Sequence, residues 1–191
     1  MQSHRGVHAA AQEQAPSMRT SSVLVPVEYA LPAEGGAHGG TMMPLLARLH
    51  TAQLAGQPHE LYAAWLEAAR GWVDVGAYAA AEAHYEQALR WSGLLGGADA
   101  TVELMCEVAE LNAVHGDRRE REEAGAGRGE RRRARGYAME AAKRAEQVSD
   151  ASWEIAVLLR VSDVLDRCGR RDEALALQVR AVRLKAARSP A

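Results

Sequence analysis

Histidine, cysteine and carboxylate side chains could hold a metal ion or attack a substrate, but in this chain they form no recognisable constellation. Three of the seven histidines, His4, His8 and His38, lie among the first 40 residues, and neither H-E-x-x-H nor C-x-x-C occurs. We expect His59 and His84 to be exposed helix residues. The sequence therefore predicts a protein that is not an enzyme and has no metal site or cofactor.

The cysteine content and the hydropathy both indicate the compartment. Cys106 and Cys168 each lie inside a separate helical pattern, so we expect two small buried hydrophobic residues rather than a disulfide or a metal pair. No apolar run reaches the roughly 18 to 20 residues of a membrane span. A soluble, cytoplasmic protein is the expectation.

The segment from Arg118 to Arg135 is strongly basic and could attract phosphate groups. Its glycines, in Gly125-Ala126-Gly127-Arg128-Gly129, do not match a phosphate-binding loop, because the Lys-Ser/Thr ending is missing and the preceding pattern is helical. No aromatic residue is interleaved to stack on bases. A salt-bridged helical extension is favoured by the interspersed glutamates, and binding of nucleic acid or another anionic partner is the alternative. The arginines concerned are Arg118, Arg119, Arg121, Arg128, Arg131, Arg132, Arg133 and Arg135.

The elements that must position all of these groups are helices. The chain has 191 residues, 48% of them hydrophobic, and contains no Phe. Ala and Leu dominate the apolar residues, which favours helix over sheet. A net charge of −2 indicates no attraction to nucleic acid at the level of the whole chain.

Two stripes of alanine and aromatic residues predict a helical hairpin between Tyr62 and Leu89. The first stripe has the spacing i, i+3, i+4, i+7, and the second, after Gly76, has spacings of four and three. Alanines that face rings are what close-packed antiparallel helices need. The stripes are Trp65, Ala68, Ala69 and Trp72, then Ala81, Tyr85 and Ala88.

These stripes resemble the tetratricopeptide repeat, whose pattern is W-x2-L-G-x2-Y followed by A-x3-F. Trp65 to Trp72 and Ala81 to Tyr85 carry the resemblance here. It implies an all-α fold, namely a right-handed α-solenoid of stacked antiparallel helix hairpins with about seven helices. It also implies that the chain binds a protein or peptide partner.

The pattern divides the chain into a tail and a repeat domain. We expect residues 1–40 to be largely disordered and residues 41–188 to be folded. The folded part would consist of a leading helix at 41–55 and hairpins at 60–92, 101–148 and 152–187.

The second hairpin is predicted to be longer than the others. Its first helix is expected to end at Gly116, and residues 118–136 form the Arg-rich insertion. Either the helices of this hairpin are longer, or the insertion loops out, which the three glycines of this segment favour.

In the repeat family, partners bind residues of each first helix that point away from the second helix. The middle hairpin would supply three carboxylates and no cation, so we expect an acidic groove that selects a basic peptide. Ordinary solvent-facing helix residues are the alternative interpretation. Cys106 is an apolar member of the predicted groove, and its charged members are Glu67, Arg70, Asp74, Glu103, Glu107, Glu110, Arg160, Asp163 and Arg167.

The last predicted helix has an apolar perimeter that is too wide for one contact. Leu175, Val179 and Val182 form a strip beside the residues that meet the preceding helix. We expect self-association or docking of a partner there. The predicted function is a non-catalytic scaffold or adaptor for protein–protein interaction; the alternatives are an anionic-partner binder and a structural or regulatory subunit.

Overall fold

The computed structural model describes residues 39–95 and 97–188, and within these ranges the chain forms seven α-helices and no strand. The predicted all-α class is therefore confirmed. The predicted tail lies outside the described residues except at its end, where Gly39 and Gly40 are already helical. The helices are α1 (Gly39–Ala55), α2 (Pro58–Asp74), α3 (Tyr78–Leu95), α4 (Ala98–Glu122), α5 (Arg128–Ala145), α6 (Ala151–Arg167) and α7 (Arg171–Arg188).

The helices pair into three stacked hairpins, as predicted. The most extensive packing joins α2 to α3, α4 to α5 and α6 to α7, which we call units 1, 2 and 3. Short turns connect the two helices of each unit, so that they run antiparallel. Successive units contact each other through α3 with α4 and α5 with α6, and α1 packs on α2.

The first helices of the three units repeat one pattern of burial. Equivalent residues lie 40 positions apart in units 1 and 2 and 53 positions apart in units 2 and 3. At four such positions the residues of all three units are buried. Large and small residues alternate among these positions, which allows the helices to interlock. The equivalent sets are Trp65, Met105 and Leu158; Ala68, Val108 and Val161; Ala69, Ala109 and Ser162; and Trp72, Asn112 and Leu165.

The core of unit 1 is built from aromatic rings, as the sequence predicts. Trp65, Trp72 and Tyr85 are each at most 5% exposed, and Ala68, Ala69, Ala81 and Ala88 are completely covered. His84 is also buried, which corrects the expectation of an exposed residue. Its ring lies edge-on to Trp65 at 5.2 Å between centroids, and the Nε1 of Trp72 donates a hydrogen bond to its Nε2 at 3.4 Å.

The turn of unit 2 differs from the prediction. Gly76 and Gly169 end α2 and α6 with φ values of +74° and +72°, which glycine adopts readily. The equivalent Gly116 lies inside α4, which continues to Glu122 and reaches 25 residues against 17 for α2 and for α6. The expected helix end at Gly116 is therefore wrong.

The Arg-rich insertion 118–136 does not loop out. The end of α4 and the start of α5 absorb all of it except residues 123–127, and α4 is longer than the other first helices, whereas α5 has 18 residues like α3 and α7. Ion pairs join the two extensions, between Arg119 and Glu130 at 3.0 Å and between Arg131 and Asp117 at 3.2 Å. A helix can therefore continue beyond a glycine when a neighbouring helix provides ion-pair partners for the residues that follow the glycine.

The hydropathy of the helices agrees with the sequence. Within the described ranges, no helix is both long enough and apolar enough to cross a membrane.

Candidate functional site

The nine charged residues predicted to bind a partner all lie on α2, α4 and α6, the first helices of the three units. We call the surface formed by these three helices the first-helix face. Glu67, Arg70 and Asp74 come from α2, Glu103, Glu107 and Glu110 from α4, and Arg160, Asp163 and Arg167 from α6.

Glu107 of α4 connects units 1 and 2. Two guanidinium nitrogens of Arg70 donate to its carboxylate, with Nη2 at 2.6 Å from Oε1 and Nε at 3.1 Å from Oε2. The hydroxyl of Tyr85 donates to the same carboxylate at 3.1 Å. Burial, and then the negative charge of Glu107, raise the pKa of Tyr85 well above its usual value. Tyr85 therefore keeps its proton and remains a hydrogen-bond donor to Glu107.

Arg160 of α6 connects units 2 and 3. Its guanidinium pairs with Glu110, with Nη2 at 2.8 Å from Oε2, and with Glu103, with Nη1 at 2.8 Å from Oε2. The indole nitrogen of Trp153 donates to Glu103 at 3.0 Å. Hydrogen bonding to Glu110 raises the pKa of Arg160, so that the guanidinium stays charged.

These pairs correct the expectation of an acidic patch at the centre of the face. The three carboxylates of α4 are predicted to stand without a cation, but Arg70 and Arg160 of the neighbouring helices compensate them. Sequence spacing within α4 could not show this, because both cations come from other units. Cys106 does not line the face either, because it is 1% exposed, and burial raises the pKa of its thiol to about 12.

Four of the nine predicted residues surround one cavity between α4 and α6. Its volume is about 310 Å³, and Val114 and Val164 supply apolar walls. Glu110 and Arg160 are already paired at one side. Asp163 and Arg167 are exposed, and neither has an ion-pair or hydrogen-bond partner among residues 39–95 and 97–188. The cavity therefore offers one free negative charge and one free positive charge to an incoming group.

The remaining predicted residues lie away from this cavity. Glu67 pairs with Arg48 of α1 at 2.6 Å, and Asp74 is exposed at the end of α2. A larger cavity of about 400 Å³ lies between α1 and α2, lined by Arg48, His59 and Glu60 among others, and it contains none of the nine residues.

Sequence reasoning missed the side chains that fix the charged residues in place. These are Arg48, Tyr85 and Trp153, each of which hydrogen-bonds a carboxylate of the predicted set. Trp153 and Arg160 are seven residues apart and lie on one stripe of α6, so that their spacing was a usable signal.

The arginines of segment 118–135 are mostly occupied. Arg133 pairs with Glu82 at 2.6 Å, and Arg135 binds both carboxylate oxygens of Glu173. Together with Arg170, Arg135 lowers the pKa of Glu173 to about 2. In the described part of the chain, only Arg128 and Arg132 of the eight arginines lack an ion pair or hydrogen bond. The segment has the salt-bridged helical form that the interspersed glutamates favoured.

The side chains that could bind a metal ion do not cluster in the described part of the chain. Across the residues that the structure describes, no three His, Cys, Asp or Glu side chains come together in a way that could hold a metal ion. Cys106 and Cys168 are both free thiols.

Comparison with known proteins shows structural similarity but no family. No family model matches this chain, and no curated protein matches it. The crystal structure of BtubC (BKLC) from P. vanneervenii is similar, with a TM-score of 0.60 and 17% sequence identity over 77% of this chain. The match spans only 57% of the BtubC chain. At this identity the likeness shows the all-helical fold alone.

Proposed function

We propose that this protein is a non-catalytic scaffold of tetratricopeptide-repeat type, which binds a peptide segment of another protein along its first-helix face. The observation that carries the proposal is the cavity between α4 and α6. Four residues predicted from sequence as partner-binding converge there, and two of them, Asp163 and Arg167, have no partner in the described structure.

The size and walls of this cavity suit a side chain better than a cofactor. Its volume of about 310 Å³ lies at the low end of small-molecule pockets. Val114 and Val164 would contact the aliphatic part of an inserted side chain, and the charged rim would bind its polar end. A segment of an extended peptide or of a helix can place one such side chain while its remaining length crosses α2 and α4.

The rigid setting of the neighbouring charges supports recognition. Arg160 is held by the carboxylates of Glu103 and Glu110, and Glu103 also accepts from the indole of Trp153, so that ordering Arg160 costs little further when a partner binds. With Arg48, which pairs with Glu67, the six predicted carboxylates of the face are set against four arginines, and this smaller excess favours a segment with basic residues. A lysine or arginine of the partner would pair with Asp163, and a carboxylate would pair with Arg167.

The test is a selection from a random peptide library against the whole chain. Selected peptides are labelled, and their affinities are measured by fluorescence anisotropy with the wild type and with Asp163→Arg. We expect the substitution to weaken binding at least about tenfold, because it replaces an attractive pair by a repulsive one. Glu86→Arg is the matched control, since Glu86 is an exposed carboxylate on α3, a second helix. Equal affinities for wild type and Asp163→Arg would contradict the proposal.

The arginine segment is not proposed as a nucleic-acid site. Six of its eight arginines are engaged with other groups of the protein, so that a phosphate would have to compete with those contacts. We also propose a cytoplasmic location, which the free thiols of Cys106 and Cys168 support.

A further inference from the structure

Two surfaces predicted from the sequence could bind a partner, and only one of them has charges that indicate the chemistry of that partner. The apolar strip of α7 is exposed, with Leu175, Val179 and Val182 at 60%, 41% and 65%. Asp172 and Lys185 lie on different sides of α7, so that no charge pattern accompanies the strip, and self-association there stays a prediction. The cavity between α4 and α6 has such a pattern.

Two opposite charges of α6 are unmatched at the rim of this cavity. Asp163 and Arg167 both line it and are exposed, and neither has an ion-pair or hydrogen-bond partner within the described helices and turns. They lie four residues apart, which is about 6 Å along the helix axis. Glu110 and Arg160, the other charged residues of the cavity, already pair with each other. An incoming segment therefore meets one free acid and one free base, in a fixed order along α6.

This arrangement discriminates against a single charge. A lone lysine would be attracted by Asp163 and repelled by Arg167 one turn away, and a lone carboxylate would meet the reverse. A segment that carries one base and one acid at the matching distance is attracted at both positions. The cavity therefore selects two charges of opposite sign.

The spacing of these charges and the scarcity of apolar surface favour an extended segment. In an extended chain, residues i and i+2 point to the same side and lie about 6.6 to 6.8 Å apart, close to the separation along α6. A helical partner would need a groove with several apolar contacts one turn apart. Among the described residues of α2, α4 and α6, Leu159 is the only large hydrophobic residue that is exposed.

We infer that the cavity recognises a lysine or arginine and an aspartate or glutamate that lie two residues apart in an extended peptide. The basic residue pairs with Asp163, and the acidic residue pairs with Arg167. The aliphatic part of the basic side chain contacts the walls formed by Val114 and Val164. The inference rests on the proposed function and adds to it the order and the spacing of the partner's charges.

The test begins with a selection from a library of random peptides against the intact chain. We expect the selected peptides to share a base and an acid two residues apart. One such peptide, and a second peptide in which these two residues are exchanged, are then compared by fluorescence anisotropy. The wild type should bind the exchanged peptide at least about tenfold more weakly, because both facing pairs become like charges.

Reversing the charges of the protein should reverse this preference. The double variant Asp163→Arg with Arg167→Asp should bind the exchanged peptide at least about tenfold more tightly than the selected peptide. Both residues are exposed, so that the fold should stay intact, which urea unfolding checks. The double variant Glu86→Arg with Arg90→Glu is the matched control, because this exposed acid and base of α3 have the same order and spacing. It should keep the preference of the wild type.

The two proposals can fail separately. A library that yields no binder, or peptides that bind the wild type and Asp163→Arg equally, would contradict the proposed function and this inference with it. If Asp163→Arg weakens binding but the double variant at 163 and 167 does not prefer the exchanged peptide, the inference alone is wrong. Selected peptides whose two charges lie three or four residues apart would indicate a helical partner, which also overturns the inference alone.

Discussion

Unit 1 and unit 2 solve the same packing problem with different side chains. In unit 1, Trp72 and Tyr85 fill the space between helices whose facing residues are alanines. In unit 2, the position equivalent to Trp72 is Asn112, and α5 contributes a row of buried alanines. With no fully buried ring to separate them, the helices of unit 2 approach closely. The comparison shows that a hairpin tolerates loss of its aromatic residues when backbone proximity and charge pairs replace them.

The close approach in unit 2 depends on two glycines. A Cβ atom added to Gly127 would lie 2.0 Å from the carbonyl oxygen of Gly116, and one added to Gly116 would lie 3.0 Å from Cγ of Arg131. The glycine at the equivalent position of each unit therefore has one of two roles. Gly76 and Gly169 provide left-handed turns, and Gly116 admits a neighbouring backbone.

The largest expected effect is in unit 1. Trp72→Ala should lower the free energy of unfolding by about 3 to 5 kcal/mol, because a large buried ring is replaced by a cavity. Asn112→Ala, at the equivalent position of unit 2, should cost only about 1 to 2 kcal/mol through its lost hydrogen bonds to Val108 and Arg133. Urea unfolding followed by circular dichroism gives both values. Equal costs would show that the two cores do not differ as described.

The next effect concerns the glycine contact of unit 2. Gly127→Ala should cost about 2 to 3 kcal/mol, because the added methyl group meets backbone that cannot rotate away. Gly129→Ala is the matched control, since nothing lies within 4 Å of its added Cβ. It should raise stability by about 0.5 to 1 kcal/mol through helix propensity. A Gly127→Ala variant as stable as Gly129→Ala would remove the basis for the close approach.

A smaller effect is expected at the turn of unit 1. Gly76→Ala should cost about 1 to 2 kcal/mol, because φ is +74° and an L side chain is strained there. Gly76→Asn should cost less, since asparagine adopts the left-handed region more readily. Thermal unfolding of the two variants measures the difference. A turn that accepts alanine without cost would mean that glycine is not required for its conformation.

The smallest expected effect is a pH dependence of the free energy of unfolding, which comes from His84 in the aromatic core of unit 1. His84 holds its Nδ1 at 2.8 Å from the carbonyl oxygen of Ala80 and accepts from Trp72 at Nε2, so that the neutral ring fits the site. Burial lowers the pKa of His84 below its ordinary 6.5. The unfolded chain therefore binds this proton more readily, and the stability due to neutral His84 is lost as the pH falls below about 6.5.

The measurement compares urea unfolding of wild type and His84→Gln at pH 7 and pH 5. The wild type should lose more stability than the variant over this interval, because only the wild type has a buried imidazole whose pKa is lowered by folding. His115, whose pKa burial also lowers, is present in both proteins and cancels from the difference. Parallel pH profiles for the two proteins would show that His84 does not titrate with unfolding.

The sequence predicted the fold better than the charge arrangement. Helical stripes located all three hairpins and the buried Trp65, Trp72 and Tyr85, because local periodicity records which side of a helix is covered. It also placed Glu110, Arg160, Asp163 and Arg167 on helices that share a face. It failed at His84, since a histidine can serve as a core ring when Trp72 and Ala80 occupy its nitrogens.

The sequence by itself determined the helices, their faces and their pairing into units. The tertiary structure decided what happens where units meet. The sequence predicts a helix end at Gly116. In the structure α4 continues through Gly116, because it forms ion pairs with α5 and packs against the backbone of Gly127. Likewise, the sequence indicates that the three carboxylates of α4 are unpaired, but Arg70 and Arg160 of other units form ion pairs with all three. The physical reason is range: propensity and periodicity act within a few residues, whereas Coulomb pairing and close packing act between residues that are distant along the chain.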